Sequence, residues 1–198
     1  MFNLNDNLKN KKILIYGYGK SGQASFKYLK KNNKISIYDD NKKVKKSSIS
    51  FKKIRISEFD YIVLSPGIDI NKCKLKNYIK KNKRKIVTDL DIFHLNNPKN
   101  LKITITGTNG KSTTAKLLFK ILKDQNKDVK LIGNIGIPVL SRNKIKRSTI
   151  FVIEASSYQI DYSQYFKTDY AFILNIRPDH LERHKSIQNY ASAKFKLI

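Results

Sequence analysis

The sequence ITITGTNGKSTT, at residues 103–114, combines an apolar strand, a glycine loop and the start of a helix. Its β-branched residues predict a buried strand, and the glycines that follow allow a tight loop. Backbone amides in such a loop, together with a helix N-terminus, attract phosphate oxygens. Lys111 adds a mobile positive charge, and the Ser112 hydroxyl can bind a Mg²⁺ ion that accompanies a phosphate. The stretch therefore predicts a phosphate-binding loop.

This loop departs from the usual GxxxxGK[ST] pattern, because Ile105 stands where the first glycine is expected. The difference argues against an ordinary P-loop NTPase and favours a shorter variant of the loop. The alternative is a glycine turn that only connects a strand to a helix. The predicted nucleotide-binding residues are Gly107, Thr108, Asn109, Gly110, Lys111, Ser112 and Thr113.

The segment after the loop is predicted to form a helix over residues 111–123. Its apolar residues recur at helical spacing, so one face is expected to pack against a sheet. The residues expected to be buried are Ala115, Leu118, Ile121 and Leu122.

Two later strands are predicted to end beside the loop. The run 149–153 is followed by Glu154, and the run 170–175 is followed closely by Asp179-His180. Parallel strands of one sheet end at the same edge, so these side chains predict a metal site next to the phosphate loop. The alternative for Glu154 is a solvated charge at the end of a strand.

A second glycine loop, GYGKSG at residues 17–22, follows an apolar strand predicted at 12–16. The pattern is GxGxxG, and a helix is predicted over 23–31. A strand predicted at 35–38 leads to Asp39, about twenty residues on, where an acid commonly meets a ribose hydroxyl. These features predict a nucleotide-diphosphate site, with NAD as the first ligand to consider. The alternative is that the glycines serve only helix–strand packing.

The elements around this second loop complete a small α/β unit. A strand predicted at 61–64 stops at Ser65-Pro66-Gly67, the kind of strand end where open parallel sheets bind ligands. The polar sequence 96–100 marks a boundary. We therefore predict an α/β fold with a Rossmann-like parallel-sheet domain at 1–96 and a phosphate-loop α/β domain at 97–198. The other predicted elements are helices at 72–81, 89–95 and 186–198 and a strand at 86–87.

Size and composition set outer limits on the protein. The 198 residues suffice for two ordinary domains, and a hydrophobic fraction of 40% suffices for packed cores. No apolar run is long enough to span a bilayer, and residues 1–12 lack the apolar core of an export signal. The single cysteine, Cys73, excludes an internal disulfide and a cysteine-rich metal site. These features predict a cytoplasmic protein with no membrane partner.

The net charge of +26 could indicate nucleic-acid binding. The 41 lysine and arginine residues are scattered through both halves of the chain, however, and are predicted to lie mostly on the solvent side of helices and loops. The sequence has no basic stripe interleaved with aromatic residues and no DNA-reading helix motif. We therefore expect no nucleic-acid partner, and we interpret the charge as a solvated surface that suits anionic ligands.

Together, the motifs of the chain resemble the Mur ligase family of ATP-dependent, amide-bond-forming enzymes. The resemblance spans nearly the whole chain, and the motifs occur in family order. Ser112 and the sequence SSYQ favour the D-glutamate-adding type over the other amino-acid ligases of the family. The motifs are GYGKSG at 17–22, LSPGI at 64–68, ITGTNGKST at 105–113, GNIGIP at 133–138, EASSYQI at 154–160, NIRPDHLERH at 175–184 and YASAK at 190–194.

The resemblance implies a reaction with defined partners. ATP phosphorylates the carboxylate of UDP-N-acetylmuramoyl-L-alanine, and the amine of D-glutamate attacks the acyl phosphate. The product is a peptidoglycan precursor, which links the activity to cell-wall synthesis, cell shape and cell division. ATP and two Mg²⁺ ions are the implied cofactors, and the GxGxxG domain is expected to hold UDP rather than NAD.

The resemblance also implies roles for individual residues. Lys111, His180 and Lys194 are the expected catalytic residues. Ser112 and Glu154 are expected to bind one Mg²⁺ ion, and His180 and Lys194 the other. A lysine cannot bind a metal as an ammonium, so Lys194 is expected to be carbamylated by CO₂, which supplies oxygen ligands. The expected UDP-substrate contacts are Lys20, Ser21, Asp39, Gly67, Asn134 and Gln159.

The chain departs from the family pattern in two ways. After the second strand the family commonly has an acid, a hydroxyl residue and arginine, whereas this chain has Asp39-Asp40-Asn41, which leaves the uracil contacts open. Family members also carry a third domain that contributes to the acceptor and ATP sites. We therefore expect a truncated, monomeric piece that binds the UDP substrate weakly and forms no product alone. The alternatives are another ligase of the family, a NAD-binding dehydrogenase-type domain and a non-catalytic basic binding module.

Overall fold

The computed structural model of the chain describes residues 8–41, 44, 47–141 and 145–198. Residues 1–7, which contribute to the export prediction, lie outside the described residues. The strands are β1 (Lys12–Tyr16), β2 (Lys34–Tyr38), β3 (Tyr61–Leu64), β4 (Ile86–Val87), β5 (Lys102–Thr106), β6 (Val129–Gly133), β7 (Ile150–Glu154) and β8 (Tyr170–Ile173). The α-helices are α1 (Lys20–Leu29), α2 (Lys76–Lys81), α3 (Asp89–Asn96), α4 (Lys111–Asp124), α5 (Ser157–Tyr162), α6 (Leu181–His184) and α7 (Ile187–Phe195).

Two parallel four-stranded sheets form the frame of the described chain, which confirms the predicted α/β class. The strand order is β2-β1-β3-β4 in the first sheet and β6-β7-β5-β8 in the second. We call residues 8–96 the first unit and residues 97–198 the second unit. The predicted domain boundary falls between α3 and β5, where one sheet has ended and the other begins.

The central strand of the first sheet shows how the sequence produces a buried parallel sheet. β1 pairs with β2 on one side and β3 on the other. Ile13 and Ile15 pack into one apolar cluster, while Leu14 and Tyr16 pack into another. Alternate residues of a strand point to opposite faces, so both faces of this sheet are covered. That burial explains the uninterrupted apolar sequence ILIY.

The two units share a core and a hydrogen-bond network. The rings of Phe93 in α3 and Phe151 in β7 meet edge to face, with centroids 4.8 Å apart. Beside them, the buried Asp91 carboxylate accepts hydrogen bonds from the Ser163 hydroxyl at 2.5 Å and from the backbone amides of residues 164–166 at 2.8–3.0 Å. The first unit therefore anchors the segment that follows α5 in the second unit.

Several predicted helix boundaries differ from those in the structure. α1 begins at Lys20 rather than at residue 23, so the last glycine of GxGxxG lies inside the helix. A Cβ atom at Gly22 would lie 2.0 Å from the Gly17 carbonyl oxygen, which explains why glycine is needed there. α2 and α7 are shorter than predicted, and β6, α5 and α6 were not predicted.

The prediction that Ile121 is buried was wrong. Ala115 is fully buried in α4, and Leu118 and Leu122 pack partly against the adjacent cluster, but Ile121 is 50% exposed. At roughly 100° per residue, Ala115, Leu118 and Leu122 share one stripe of the helix, whereas Ile121 lies about 120° away from Ala115. Only that stripe faces the sheet.

Among the described residues, the expectation that lysines lie on the solvent side has two exceptions. Lys102 and Lys194 are each 1% exposed. Lys102 donates to the Asn100 carbonyl oxygen at 2.7 Å, and burial lowers the pKa of its ammonium group.

Within the described ranges, none of the helices combines the length and the apolar character that crossing a bilayer requires.

Candidate active site

The phosphate loop lies between β5 and α4, as the sequence predicts. Gly110 is the residue before the first turn of α4 and has φ of 82°. This left-handed conformation suits glycine, and with no side chain at Gly110 to cap the helix, the first-turn amides can donate to an anion. The Lys111 ammonium donates to the carbonyl oxygens of Gly107 at 2.9 Å and Thr108 at 2.6 Å, which keeps its charge against the loop. The loop therefore has the parts of a phosphate cradle.

The loop is held in place by residues that follow β8. The Asn175 side chain accepts a hydrogen bond from the Asn109 amide at 3.0 Å and donates to the Asn109 carbonyl oxygen at 3.1 Å. The Thr108 and Tyr190 hydroxyl groups lie 3.2 Å apart. Sequence reasoning did not assign Asn175 or Tyr190 a role, because these contacts depend on β8 lying beside β5.

Glu154 is the last residue of β7 and is only 1% exposed. Its Oε2 atom accepts from the Ser112 hydroxyl at 2.7 Å, and its Oε1 atom accepts from the side-chain amide of Asn134 at 2.9 Å. The alternative that Glu154 is a solvated surface charge is therefore wrong. A carboxylate and a hydroxyl beside a phosphate loop are hard oxygen donors, which fits Mg²⁺.

A carboxylate–hydroxyl pair does not complete a metal site. In the part of the chain that the structure describes, no group of three or more His, Cys, Asp or Glu side chains gathers in metal-binding geometry. A Mg²⁺ ion commonly takes its other ligands from substrate phosphates and water, so the Ser112–Glu154 pair is compatible with a nucleotide-bound ion.

Lys194 lies beneath the loop in α7. Its ammonium nitrogen is 3.0 Å from the Gly107 carbonyl oxygen, 3.4 Å from the Thr106 hydroxyl and 4.4 Å from the centre of the Tyr190 ring. Burial, and secondarily the charge of Lys111, lower the pKa of Lys194 to about 8. An unusually large fraction of this amine is therefore neutral near physiological pH.

His180 lies on the same cavity as Lys194 but is more open to solvent. It precedes α6 in a left-handed conformation with φ of 55°. The side chain is 44% exposed, and its ring nitrogens are 3.6 Å from the Asp179 carboxylate and 3.8 Å from the Glu182 carboxylate. Lys111, His180 and Lys194 all line this cavity, which has a volume of about 450 Å³, so the structure brings the three predicted catalytic residues together.

A second cavity, of about 400 Å³, lies between the two units. It is lined by all six residues that the family resemblance implies as substrate contacts, namely Lys20, Ser21, Asp39, Gly67, Asn134 and Gln159. It shares Pro66, Gly67 and Asn134 with the cavity beside the phosphate loop. The two cavities therefore form adjoining parts of one cleft, although the individual ligand contacts remain predictions.

Several of these cleft residues also have structural partners, among them Asp39 and Gln159. The Asp39 carboxylate accepts from the Tyr18 amide at 2.6 Å and so shapes the first glycine loop. The Gln159 side-chain oxygen accepts from the Ser156 backbone amide at 3.1 Å. The side-chain nitrogen of Gln159 is therefore the group that can face a ligand.

A buried carboxylate that sequence reasoning missed lies behind the first glycine loop. Asp89 is 3% exposed and is hydrogen-bonded to the Ser21 side chain. Burial is the main reason that the pKa of Asp89 rises to about 6. The position of Asp89 at the start of α3 is a common place for an acid, so the sequence carried no sign of this contact.

The fold and the site define a class of protein in which a phosphate-loop α/β unit and a GxGxxG unit share one cleft. Residues 105–198, just under half of the chain, match the family model described as the Mur ligase middle domain. The family predicted from the motifs is therefore confirmed.

Relatives of known function extend the similarity to the first unit. The UDP-N-acetylmuramoylalanine–D-glutamate ligase of Caldicellulosiruptor bescii is 36% identical over 208 residues, which cover 96% of this chain and 45% of the relative. The ligase of the same name from Elusimicrobium minutum is 39% identical over 207 residues, which cover 96% and 46% respectively. This chain thus spans less than half the length of these relatives.

A solved structure supports the fold. The crystal structure of UDP-N-acetylmuramate:L-alanyl-γ-D-glutamyl-meso-diaminopimelate ligase from Neisseria meningitides matches with a TM-score of 0.57 and 15% identity. The match covers 96% of this chain and 68% of that structure. At this identity, the similarity concerns the arrangement of strands and helices.

Proposed function

We propose that this chain forms the UDP-substrate and ATP parts of a ligase that adds D-glutamate to UDP-N-acetylmuramoyl-L-alanine. The observation that carries the proposal is the position of Asn134, which lines both cavities and bonds Glu154 beside the phosphate loop. A substrate that extends from the inter-unit cavity towards this point would bring its carboxylate close to the γ-phosphate of ATP. The names of the relatives at 36% and 39% identity agree with this substrate.

The chemistry requires positioning and charge neutralisation more than covalent help from the protein. Lys111 and the amides of residues 107–113 would hold the β- and γ-phosphates of ATP. The substrate carboxylate attacks the γ-phosphorus and forms an acyl phosphate with release of ADP. The amine of D-glutamate then attacks the acyl carbon, and inorganic phosphate leaves from the tetrahedral intermediate.

Ser112 and Glu154 would hold one Mg²⁺ ion, and His180 with Lys194 would hold a second. Bound Mg²⁺ would supply the positive charge that offsets the phosphate oxygens. For this role the Lys194 amine must react with CO₂, which forms an N–C bond, releases one proton and leaves a carbamate. The buried position and lowered pKa of Lys194 favour the neutral amine that this step requires.

In the inter-unit cavity, Lys20 and Ser21 would bind the UDP diphosphate at the start of α1, where the helix dipole favours an anion. Asp39 would meet the ribose, and Gly67, Asn134 and Gln159 the sugar–peptide part. The unpaired, buried Cys73 agrees with a reducing cytoplasm. We further propose that the protein is a monomer and that it binds neither a membrane nor nucleic acid.

Phosphate release from ATP tests the proposed reaction. The chain would be extended by the remainder of the length that its relatives have, and phosphate would be measured with both substrates and with each one omitted. We expect release only when UDP-N-acetylmuramoyl-L-alanine and D-glutamate are both present, and its loss in Lys111→Ala. Release that is indifferent to D-glutamate, or that persists in Lys111→Ala, would contradict the proposal.

A further inference from the structure

Arg183 connects the second unit to the first through its guanidinium group, in which each nitrogen donates a hydrogen bond. Nη1 donates to the Pro66 carbonyl oxygen and Nη2 to the Ile68 carbonyl oxygen, both at 2.7 Å. Nε donates to the Tyr162 hydroxyl at 3.2 Å, and the guanidinium carbon lies 3.9 Å from the centre of the Tyr158 ring. Hydrogen bonds in two directions and a ring contact therefore fix the orientation of this side chain.

The two carbonyl groups belong to the loop that follows β3, residues 65–68, which we call the β3 loop. All four of its residues line the inter-unit cavity, whereas Arg183 lines the adjoining cavity beside the phosphate loop. The β3 loop also supports the first glycine loop, because the Ser65 hydroxyl donates to the Gly17 carbonyl oxygen at 2.7 Å. A contact made by Arg183 therefore reaches the cavity wall indirectly.

The chemistry of the contact calls for arginine. Two carbonyl oxygens separated by one residue match the fork of a guanidinium, which donates through two nitrogens in one plane. A lysine ammonium is a point charge and would reach one carbonyl well and the other poorly. Without the fork, the β3 loop would keep its backbone hydrogen bond from the Ile68 amide to the Ser65 carbonyl oxygen but lose the two hydrogen bonds from Arg183.

We propose that Arg183 is a positioning residue, which holds the β3 loop in the shape that the inter-unit cavity presents to its ligand. α6 is one turn long and begins just after His180. This short helix therefore positions His180 at the cavity beside the phosphate loop and Arg183 against the β3 loop of the inter-unit cavity. The identity of the ligand, the UDP substrate, rests on the proposed function. The hydrogen bonds from Arg183 to the β3 loop do not depend on that function.

The test compares Arg183→Gln and Arg183→Lys with the matched control Arg177→Gln. Arg177 is exposed on the segment before α6, its hydrogen bonds in the structure are made by its backbone, and the control removes the same charge. Calorimetric titration of the 198-residue chain would measure the Kd for UDP-N-acetylmuramoyl-L-alanine and for MgATP. We expect Arg183→Gln to weaken UDP-substrate binding about tenfold and MgATP binding less than about twofold. Arg183→Lys should recover part of the loss, and Arg177→Gln should change neither Kd by more than about twofold.

Amide hydrogen exchange provides a readout that needs no ligand. In Arg183→Gln the Ile68 amide should exchange about tenfold faster, while amides in β1 and β5 keep their rates. An unchanged Ile68 rate, a uniform acceleration across both sheets, or unchanged UDP-substrate affinity despite faster exchange would each overturn the proposal. If the unsubstituted chain failed to bind the UDP substrate, the proposed function would fall, and the exchange rates would still decide whether Arg183 holds the β3 loop.

Discussion

Glu154 links the phosphate loop to the inter-unit cleft through a single carboxylate. One of its oxygens bonds Ser112 in the loop, and the other bonds Asn134 in the cleft. The sequence could suggest Glu154, because an acid at the end of an apolar strand is unusual beside a phosphate loop. It could not identify Asn134 as its partner, since that contact depends on β6 pairing with β7.

The first prediction concerns this carboxylate. Glu154→Gln keeps the size of the side chain but replaces an anionic oxygen with an amide, so Mg²⁺-dependent ATP binding should weaken about tenfold. Titration with ATP in the presence and absence of Mg²⁺ would measure the effect. Glu58→Gln, at an exposed acid in the first unit, is the control and should behave like the unsubstituted chain. Equal MgATP affinity in Glu154→Gln would contradict a metal role.

The free energy of unfolding should depend on pH through the buried Lys194. The pKa of Lys194 is lowered to about 8 in the folded chain, mainly by burial, whereas an unfolded lysine titrates at about 10.4. Between these values the unfolded chain binds more protons, so this lysine makes the folded state gain stability as pH rises. Relative to Lys194→Met, the unsubstituted chain should gain roughly 2 kcal/mol in free energy of unfolding between pH 7.5 and 10.

Urea denaturation in CO₂-depleted buffer would measure that difference at the two pH values. The comparison with Lys194→Met cancels the titration of the many surface lysines, which both proteins share. A pH-independent difference would mean that Lys194 is not desolvated in the folded chain.

At the scale of elements, the best-predicted parts are those with strong local signals. β1, β5 and α4 follow from apolar runs, glycine loops and helical spacing, and the structure places them within a residue or so of the prediction. β6 has a lysine as its second residue, ends in glycine and is only partly buried, so its sequence resembles a loop. α6 is a single turn without an apolar stripe. These two elements form because neighbouring elements hold them.

α5 did carry a signal that was overlooked. The Ser156 hydroxyl accepts from the Gln159 amide, and the Gln159 side chain accepts from the Ser156 amide, which is a capping box. The spacing of Ser and Gln before an apolar residue could have predicted a helix start at this point. The same Gln159 lines the inter-unit cavity, so a capping interaction also orients a candidate ligand contact.

Asp91 in α3 should contribute strongly to the free energy of unfolding. Its Oδ1 atom accepts four hydrogen bonds from residues 163–166 of the second unit, and its Oδ2 atom accepts from the Thr88 amide and hydroxyl. Asp91→Ala would leave these buried donors unpaired, so the free energy of unfolding should fall by about 3 kcal/mol or more. Urea denaturation would measure the loss.

Two further variants calibrate this prediction. Asp91→Asn keeps one carbonyl oxygen and should lose less stability than Asp91→Ala. Asp124→Ala, at an exposed acid that ends α4, should change stability by less than about 0.5 kcal/mol. A loss in Asp91→Ala as small as that in Asp124→Ala would contradict the importance of the contact between the units.

For the whole molecule, the sequence predicted which residues could bind ligands better than it predicted how they are held. The six candidate substrate contacts come from both units, and the structure places them on one cavity. Their supports, such as Asp89 behind Ser21 and Arg183 behind the β3 loop, could not be predicted. These contacts join residues far apart in the chain, Asp89 with Ser21 within the first unit and Arg183 with the β3 loop between the two units.

We propose that one cleft of this protein holds a UDP-binding half and an ATP-binding half side by side. Calorimetric titration of the 198-residue chain with UDP-N-acetylmuramoyl-L-alanine, with and without saturating MgATP, tests this arrangement. We expect one UDP-substrate site per chain in both conditions, weakened by Lys20→Ala and without detectable competition from NAD. Displacement of the UDP substrate by MgATP, or binding of NAD in its place, would contradict the claim.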